Sequence, residues 1–163
     1  FNQNKKFLME LNSQIIGNLK IRPKGLGSWE TKERYIEQFG KDIISNESTQ
    51  IKDFDDSKIV ICSYPQTSLA ESMYAGIPTI LLLKKGIWEC QSIFDELFAE
   101  LERAKILYFD PIKAAQHLEN IYDDPELWWE STEVLYAREK FNEICLTITK
   151  NRKEEWINFF KNI

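Results

Sequence analysis

The densest run of chemistry in the chain is Thr67-Ser68-Leu69-Ala70-Glu71. It follows an apolar stretch and opens a short helical pattern that Gly76 stops and Pro78 closes off. A helix N-terminus presents backbone N–H groups with no intrahelical acceptor, and the helix dipole adds partial positive charge there. The amides of Thr67, Ser68 and Leu69 are therefore suited to hold a phosphate or diphosphate. Glu71, one turn further on, carries a carboxylate that can accept two hydrogen bonds from a ribose diol, the use dinucleotide-binding folds make of an acidic residue. The same letters also have a purely structural meaning. Ser68-x-x-Glu71 is the spacing of a capping box, in which the serine takes the N3 amide and the glutamate reaches back to the serine amide. On sequence alone both readings stand, and they compete for one carboxylate.

Other candidates surround this segment. Arg22 ends a short alternating run, where a guanidinium could reach a diphosphate, with Lys20 and Lys24 nearby. Solvated strand-end charge is the ordinary alternative. Lys84-Lys85 follow a second apolar run, and Trp88 could stack on a base or a sugar, or else lie beneath its own loop. Gly25-Leu26-Gly27 starts a dinucleotide pattern, but Glu30 stands where a third glycine is required. Ser45 and Asn46 end another short run. Cys90 has no evident cationic partner to activate it. His117, the one histidine, sits in a helical pattern with no nucleophile motif beside it. Asp55-Asp56 and Asp123-Asp124 read as turn residues.

The elements that must position these groups alternate. Asn2 to Ile16 has helical spacing, and Asn18 to Arg22 reads as a strand ended by Pro23. Gly25 to Ser28 is a loop, with Ser28 as cap of a helix running to Phe39. Asp42 to Ser45 reads as a second strand, and Asn46 to Ser57 as a polar connection with a helical turn around Ile51 to Phe54. Lys58 to Cys62 is a β-branched run typical of a strand buried on both faces. A helix over Thr67 to Ala75, a strand over Pro78 to Leu83, a helix over Gln91 to Ala104 and a strand over Ile106 to Phe109 follow. The remainder is helical: Pro111 to Ile121, Pro125 to about Ile148, and Lys153 to Asn162. Strands alternating with helices imply a parallel sheet with right-handed crossovers. The expected fold is α/β: a Rossmann-like, doubly wound parallel sheet of about five strands, with residues 111–163 as a C-terminal helical segment of the same domain. Ligands in such sheets bind beyond the carboxyl ends of the strands.

Composition limits what this scaffold does. The 163 residues fit one domain, and a 43% apolar, 13% aromatic content excludes disorder. The net charge of −5 argues against a nucleic-acid surface. No apolar run approaches the roughly 20 residues of a membrane span. Three widely spaced cysteines without a CxxC read as reduced thiols of a cytoplasm, and no zinc-ligand spacing occurs. A chain beginning at Phe1 reads as a piece of a longer one.

Ser68, Glu71, Gly76 and Pro78 together resemble the signature of the C-terminal domain of GT-B glycosyltransferases, and the nucleotide-sugar 2-epimerases share that fold and a similar pattern. Further segments are similar to one subgroup, the transferases of bacterial O-antigen and surface-polysaccharide clusters. They are Arg22-Pro23, Gly27-Ser28-Trp29, Thr67 to Ser72, Ile77-Pro78-Thr79, Ile106 to Asp110, Ala114 to His117, Ile121, Trp128-Trp129, and Ala137-Arg138 with Phe141. The similarity covers most of Leu19 to Phe160 and departs from the subgroup at Tyr64-Pro65-Gln66.

The resemblance implies half of a GT-B fold that binds a nucleoside diphosphate or monophosphate sugar. Arg22, Thr67, Ser68, Leu69, Glu71 and Trp88 would line the donor site, and Gly76 and Pro78 would shape it. Neither a metal nor a separate cofactor is implied. The catalytic base would come from a preceding N-terminal domain, so this piece alone would bind a nucleotide weakly and transfer nothing. The implied location is the cytoplasm, with peripheral association of the full-length protein at the inner membrane as a variant. Two alternatives remain: an epimerase half on the same fold, and a non-enzymatic α/β module whose aromatic tail docks a partner protein.

Overall fold

A computed structural model of the chain describes residues 1–23, 30–88, 90–146 and 152–161. The expected loop at Gly25 to Ser28, the Ser28 cap and Lys24 lie outside the described residues. The chain opens with α1 (Asn2–Glu10) and α2 (Ser13–Asn18). These are two helices rather than one, because the Asn12 side chain accepts the Ile15 amide and starts a new helix there. Next come α3 (Thr31–Phe39), a 3₁₀ turn over Lys41–Ile43, and α4 (Gln50–Asp55), the helical turn expected within the polar connection.

The central sheet is parallel and three-stranded, in the order β1 (Val60–Cys62), β2 (Thr79–Leu82), β3 (Leu107–Tyr108). Val60 pairs with Thr79, and Leu81 with Leu107. Crossovers run through α5 (Thr67–Tyr74) and α6 (Asp95–Arg103). The tail follows as α7 (Pro111–Ile121), α8 (Pro125–Trp129), α9 (Thr132–Cys145) and α10 (Arg152–Lys161). The expected single helix from Pro125 is thus two, broken at Glu130-Ser131.

Where about five strands were expected, the described residues form three strands and one isolated bridge. Ile21 and Ile44 form an isolated parallel bridge, made by Ile21 N–H to the Ile43 carbonyl at 2.6 Å and Ser45 N–H to the Ile21 carbonyl at 2.8 Å. Neither segment can extend its ladder. Pro23 has no N–H to donate, and the residues before Ile44 are taken up by the 3₁₀ turn, in which Ile44 N–H returns to the Lys41 carbonyl. Asn18, expected in a strand, ends α2.

β2 is the spine of the core, with every residue from Thr79 to Leu83 essentially inaccessible. Its side chains alternate between two apolar layers, as a strand's period of two requires. Ile80 and Leu82 face a cluster containing Phe7 and Leu8 of α1 and Ala114, Ala115 and Leu118 of α7. Leu81 and Leu83 face the other cluster, with Leu69 and Met73 of α5, Leu97 and Leu101 of α6, and Val134, Ala137 and Phe141 of α9. Each such side chain contributes about 1.5–3 kcal/mol by leaving water. The result is a helix–sheet–helix sandwich whose strand carboxyl ends all open on one edge.

Candidate functional site

At that edge the β2 and β3 ends are filled. Gln3 of α1 donates from Nε2 to the Leu83 carbonyl (2.7 Å) and the Phe109 carbonyl (3.2 Å), and the Lys85 ammonium lies 5.0 Å over the Phe109 ring. On the other side, where the chain leaves β1 and enters α5, Gln66 and Thr67 are exposed.

The α5 entry differs from a capping box. The helix begins at Thr67 with Gln66 as N-cap, in extended conformation and with no side-chain cap bond. Burial of Leu69, Ser72 and Met73 against the sheet sets the phase of the helix and leaves Ser68 inside the first turn. Leu69 N–H donates to the Gln66 carbonyl at 3.0 Å. Leu69 thus has its side chain in the core and its amide bonded within the first turn. The Thr67 and Ser68 amides have no backbone acceptor among the described residues.

Ser68 and Glu71 are instead joined by a third side chain. The Ser68 hydroxyl donates to Gln50 Oε1 (3.2 Å), and Gln50 Nε2 donates to Glu71 Oε2 (2.9 Å). Gln50 is the first residue of α4, whose N-cap is Thr49, with the Thr49 hydroxyl accepting the Lys52 amide. Arg22 holds this turn in place. Its Nε pairs with the Asp53 carboxylate, and its terminal nitrogen donates to the Glu47 (2.7 Å) and Thr49 (3.0 Å) carbonyls. The Ser45 hydroxyl binds the other Asp53 oxygen and accepts the Glu47 amide. Arg22, Ser45, Ser68 and Glu71 are thus brought to one edge of the sheet, through α4. In this arrangement Arg22, itself exposed, braces the α4 turn with its guanidinium bonded to protein groups. Gln50 and Asp53 escaped the sequence reading. The available hint was Thr49 as a cap within a polar segment.

Trp88, 40% exposed, faces Tyr64 of the β1–α5 loop, with ring centroids 6.3 Å apart and planes 31° from parallel. The two rings form an aromatic rim beside the α5 entry. Lys84 is exposed on the same loop.

The opposite end of α5 is closed. Gly76 takes φ +74°, its N–H donates to the Met73 carbonyl, and Ile77 N–H donates to the Ser72 carbonyl, both at 3.1 Å. This is a Schellman ending, which needs a left-handed residue. The Gly76 carbonyl accepts the indole N–H of Trp129 at 2.7 Å. Arg138 lies 4.6 Å over the Trp129 ring and donates to the Trp129 carbonyl. Pro78 is buried as the chain enters β2.

His117 is buried between Tyr108 and Trp128, at 5.6 and 4.8 Å, with Nε2 unpartnered among the described residues. Burial and the Lys105 charge lower its pKa to about 4, so it is neutral at pH 7. Cys62, Cys90 and Cys145 are free thiols, and burial pushes Cys62 up to about 12, far from nucleophilic. Asp124 caps α8 through the Leu127 amide. Among the described residues no group of His, Cys, Asp or Glu is arranged to hold a metal, and no helix is long and apolar enough to cross a membrane. In the tail, Trp129 and Phe141 are core, whereas Tyr136, Phe159 and Phe160 are exposed.

With this geometry in hand, the chain matches a family model described as "LIC12162 family transferase" over residues 1–160. The chain belongs to the LIC12162 family of transferases. No curated protein and no solved structure matches it. Membership favours a transferase over the epimerase and partner-docking alternatives. The match takes in both ends of α5, the α4 turn and the tail residues that lock Gly76.

Proposed function

We propose that this chain is the donor-binding half of a GT-B-type glycosyltransferase acting in bacterial surface-polysaccharide or O-antigen synthesis. The observation that carries the reading is the open N-terminal end of α5 at the carboxyl edge of a parallel sheet, with Glu71 one turn in. The Thr67 and Ser68 amides take the diphosphate of a nucleotide-sugar, and a carboxylate oxygen pair at Glu71 takes the ribose diol. The Tyr64–Trp88 rim flanks the base or the sugar. Arg22 contributes by fixing the α4 turn, and Lys84 adds local positive potential.

In the reaction an acceptor hydroxyl oxygen attacks the anomeric carbon. The bond from that carbon to the phosphate oxygen breaks, and the hydroxyl proton passes to a base. Stabilising the departing nucleoside diphosphate with oriented amides and cations is this half's share of the work. The acceptor and the base belong to a second, preceding domain, as the GT-B resemblance implies. The reaction then takes place in the cytoplasm or at the cytoplasmic face of the inner membrane.

The test is an amide-resolved NMR titration of the whole protein with UDP, GDP, CDP and CMP. One of them at millimolar concentration is expected to shift the Thr67 and Ser68 amides first. Shifts confined to other surfaces, or none with any nucleotide, would remove the reading.

A further inference from the structure

We propose that Gln50 is the positioning residue of the nucleotide site, fixing the Glu71 carboxylate in the orientation that receives a ribose diol; this rests on the ribose reading of Glu71. The Gln50 carboxamide is held at both ends, with its oxygen accepting from Ser68 at 3.2 Å and its nitrogen donating to Glu71 at 2.9 Å. A carboxylate can only accept and a hydroxyl can donate, so the amide has one orientation that satisfies both.

Gln50 uses one acceptor position on Glu71 Oε2. A carboxylate offers about four such positions, so two diol hydroxyls can bind with Gln50 in place. Glu71 is exposed on its helix, and without Gln50 its rotamers would be free and would have to be ordered on binding. The Ser68 proton is committed to Gln50. Ser68 therefore serves the phosphate with its backbone amide, and its side chain serves the ribose end indirectly. Gln50 is itself placed by the Thr49 cap and by the Arg22 grip on the Thr49 carbonyl. That grip ties Arg22 to the site through the backbone of the α4 turn.

The experiment uses the whole protein and the tightest-binding of UDP, GDP and CDP, its 2′,3′-dideoxy form, and inorganic pyrophosphate. Native protein, Gln50→Ala, Gln50→Glu and Glu71→Gln are titrated with each. Gln50→Ala is expected to weaken the ribonucleotide about three- to tenfold, the worth of one ordinary hydrogen bond. The dideoxy form and pyrophosphate should bind as to native protein. Gln50→Glu keeps the side-chain length but sets a like charge against Glu71, and should weaken the ribonucleotide more than the dideoxy form and pyrophosphate, which the added charge beside Ser68 also weakens.

Equal weakening of ribo and dideoxy forms would make Gln50 a general structural residue and overturn the proposal. So would an unchanged Gln50→Ala where Glu71→Gln loses affinity, which leaves the ribose reading standing. If Glu71→Gln also binds the ribonucleotide as native, or if no nucleotide binds at all, the ribose reading and the Gln50 proposal fall together.

Discussion

The two ends of α5 are built in opposite ways. The Gly76 end is closed three times over, by a Schellman turn, by the buried Trp129 indole on the Gly76 carbonyl, and by Arg138 across that indole. The Thr67 end has no side-chain cap, and its polar side chains are gathered by Gln50 from another element. A good N-cap would contribute about 0.5–2 kcal/mol there, and α1, α3, α6 and α9 likewise start without a side-chain cap bond. In the proposed reading, the uncapped end leaves the Thr67 and Ser68 amides to a ligand while the other end is tied to the core.

The contrast can be broken from the closed side. Trp129→Ala removes a fully buried indole and the Gly76 bond together, and should cost about 3–5 kcal/mol. Chemical denaturation reads this directly, and a loss below about 1 kcal/mol would mean the lock is ornamental. Gly76→Ala is expected to cost less, about 1–2 kcal/mol, from backbone strain at φ +74°. The nearest atom to an added Cβ, an Arg138 nitrogen, stands 3.7 Å away in ordinary contact. A thermal midpoint equal to native would contradict the left-handed ending.

The open side gives the smallest stability effect and a change of opposite sign. Gln66→Asp supplies the absent cap and should stabilise by about 0.5–1 kcal/mol. It also places a negative charge at the Thr67 and Ser68 amides, so nucleotide affinity should fall as stability rises. If both rise together, the open end is not an anion site.

Local patterns carried much of this into the sequence. β1 and β2 are readable because Ile59-Val60-Ile61 and Ile80 to Leu83 are apolar on both faces, and α7 because Asp110 and Pro111 mark its start unambiguously. The Gly76–Pro78 boundary was equally legible. What could not be read depends on partners far along the chain. Whether Asn18 to Arg22 forms a strand is decided by how much of it Ile43 to Ser45 can meet, and a proline with a 3₁₀ turn limits that to one bridge. The Ser68–Glu71 spacing suggested a capping box because the first helical residue was uncertain, and a start at Thr67 moves Ser68 inside. Gln50 lies 18 and 21 positions from the two side chains it joins, and Asp53 lies 31 from Arg22. Contacts at that range leave no periodicity or motif to find.

The most direct test of the α5 site is the affinity of the whole protein for its best nucleoside diphosphate, native against Glu71→Gln. Glutamine keeps the size and one acceptor but loses the charge. Hydrogen bonds to a charged group are worth about 1.5–3 kcal/mol, so affinity should fall roughly tenfold to a hundredfold while the thermal midpoint stays put. Undiminished affinity in Glu71→Gln would contradict the assignment of the ribose to this carboxylate.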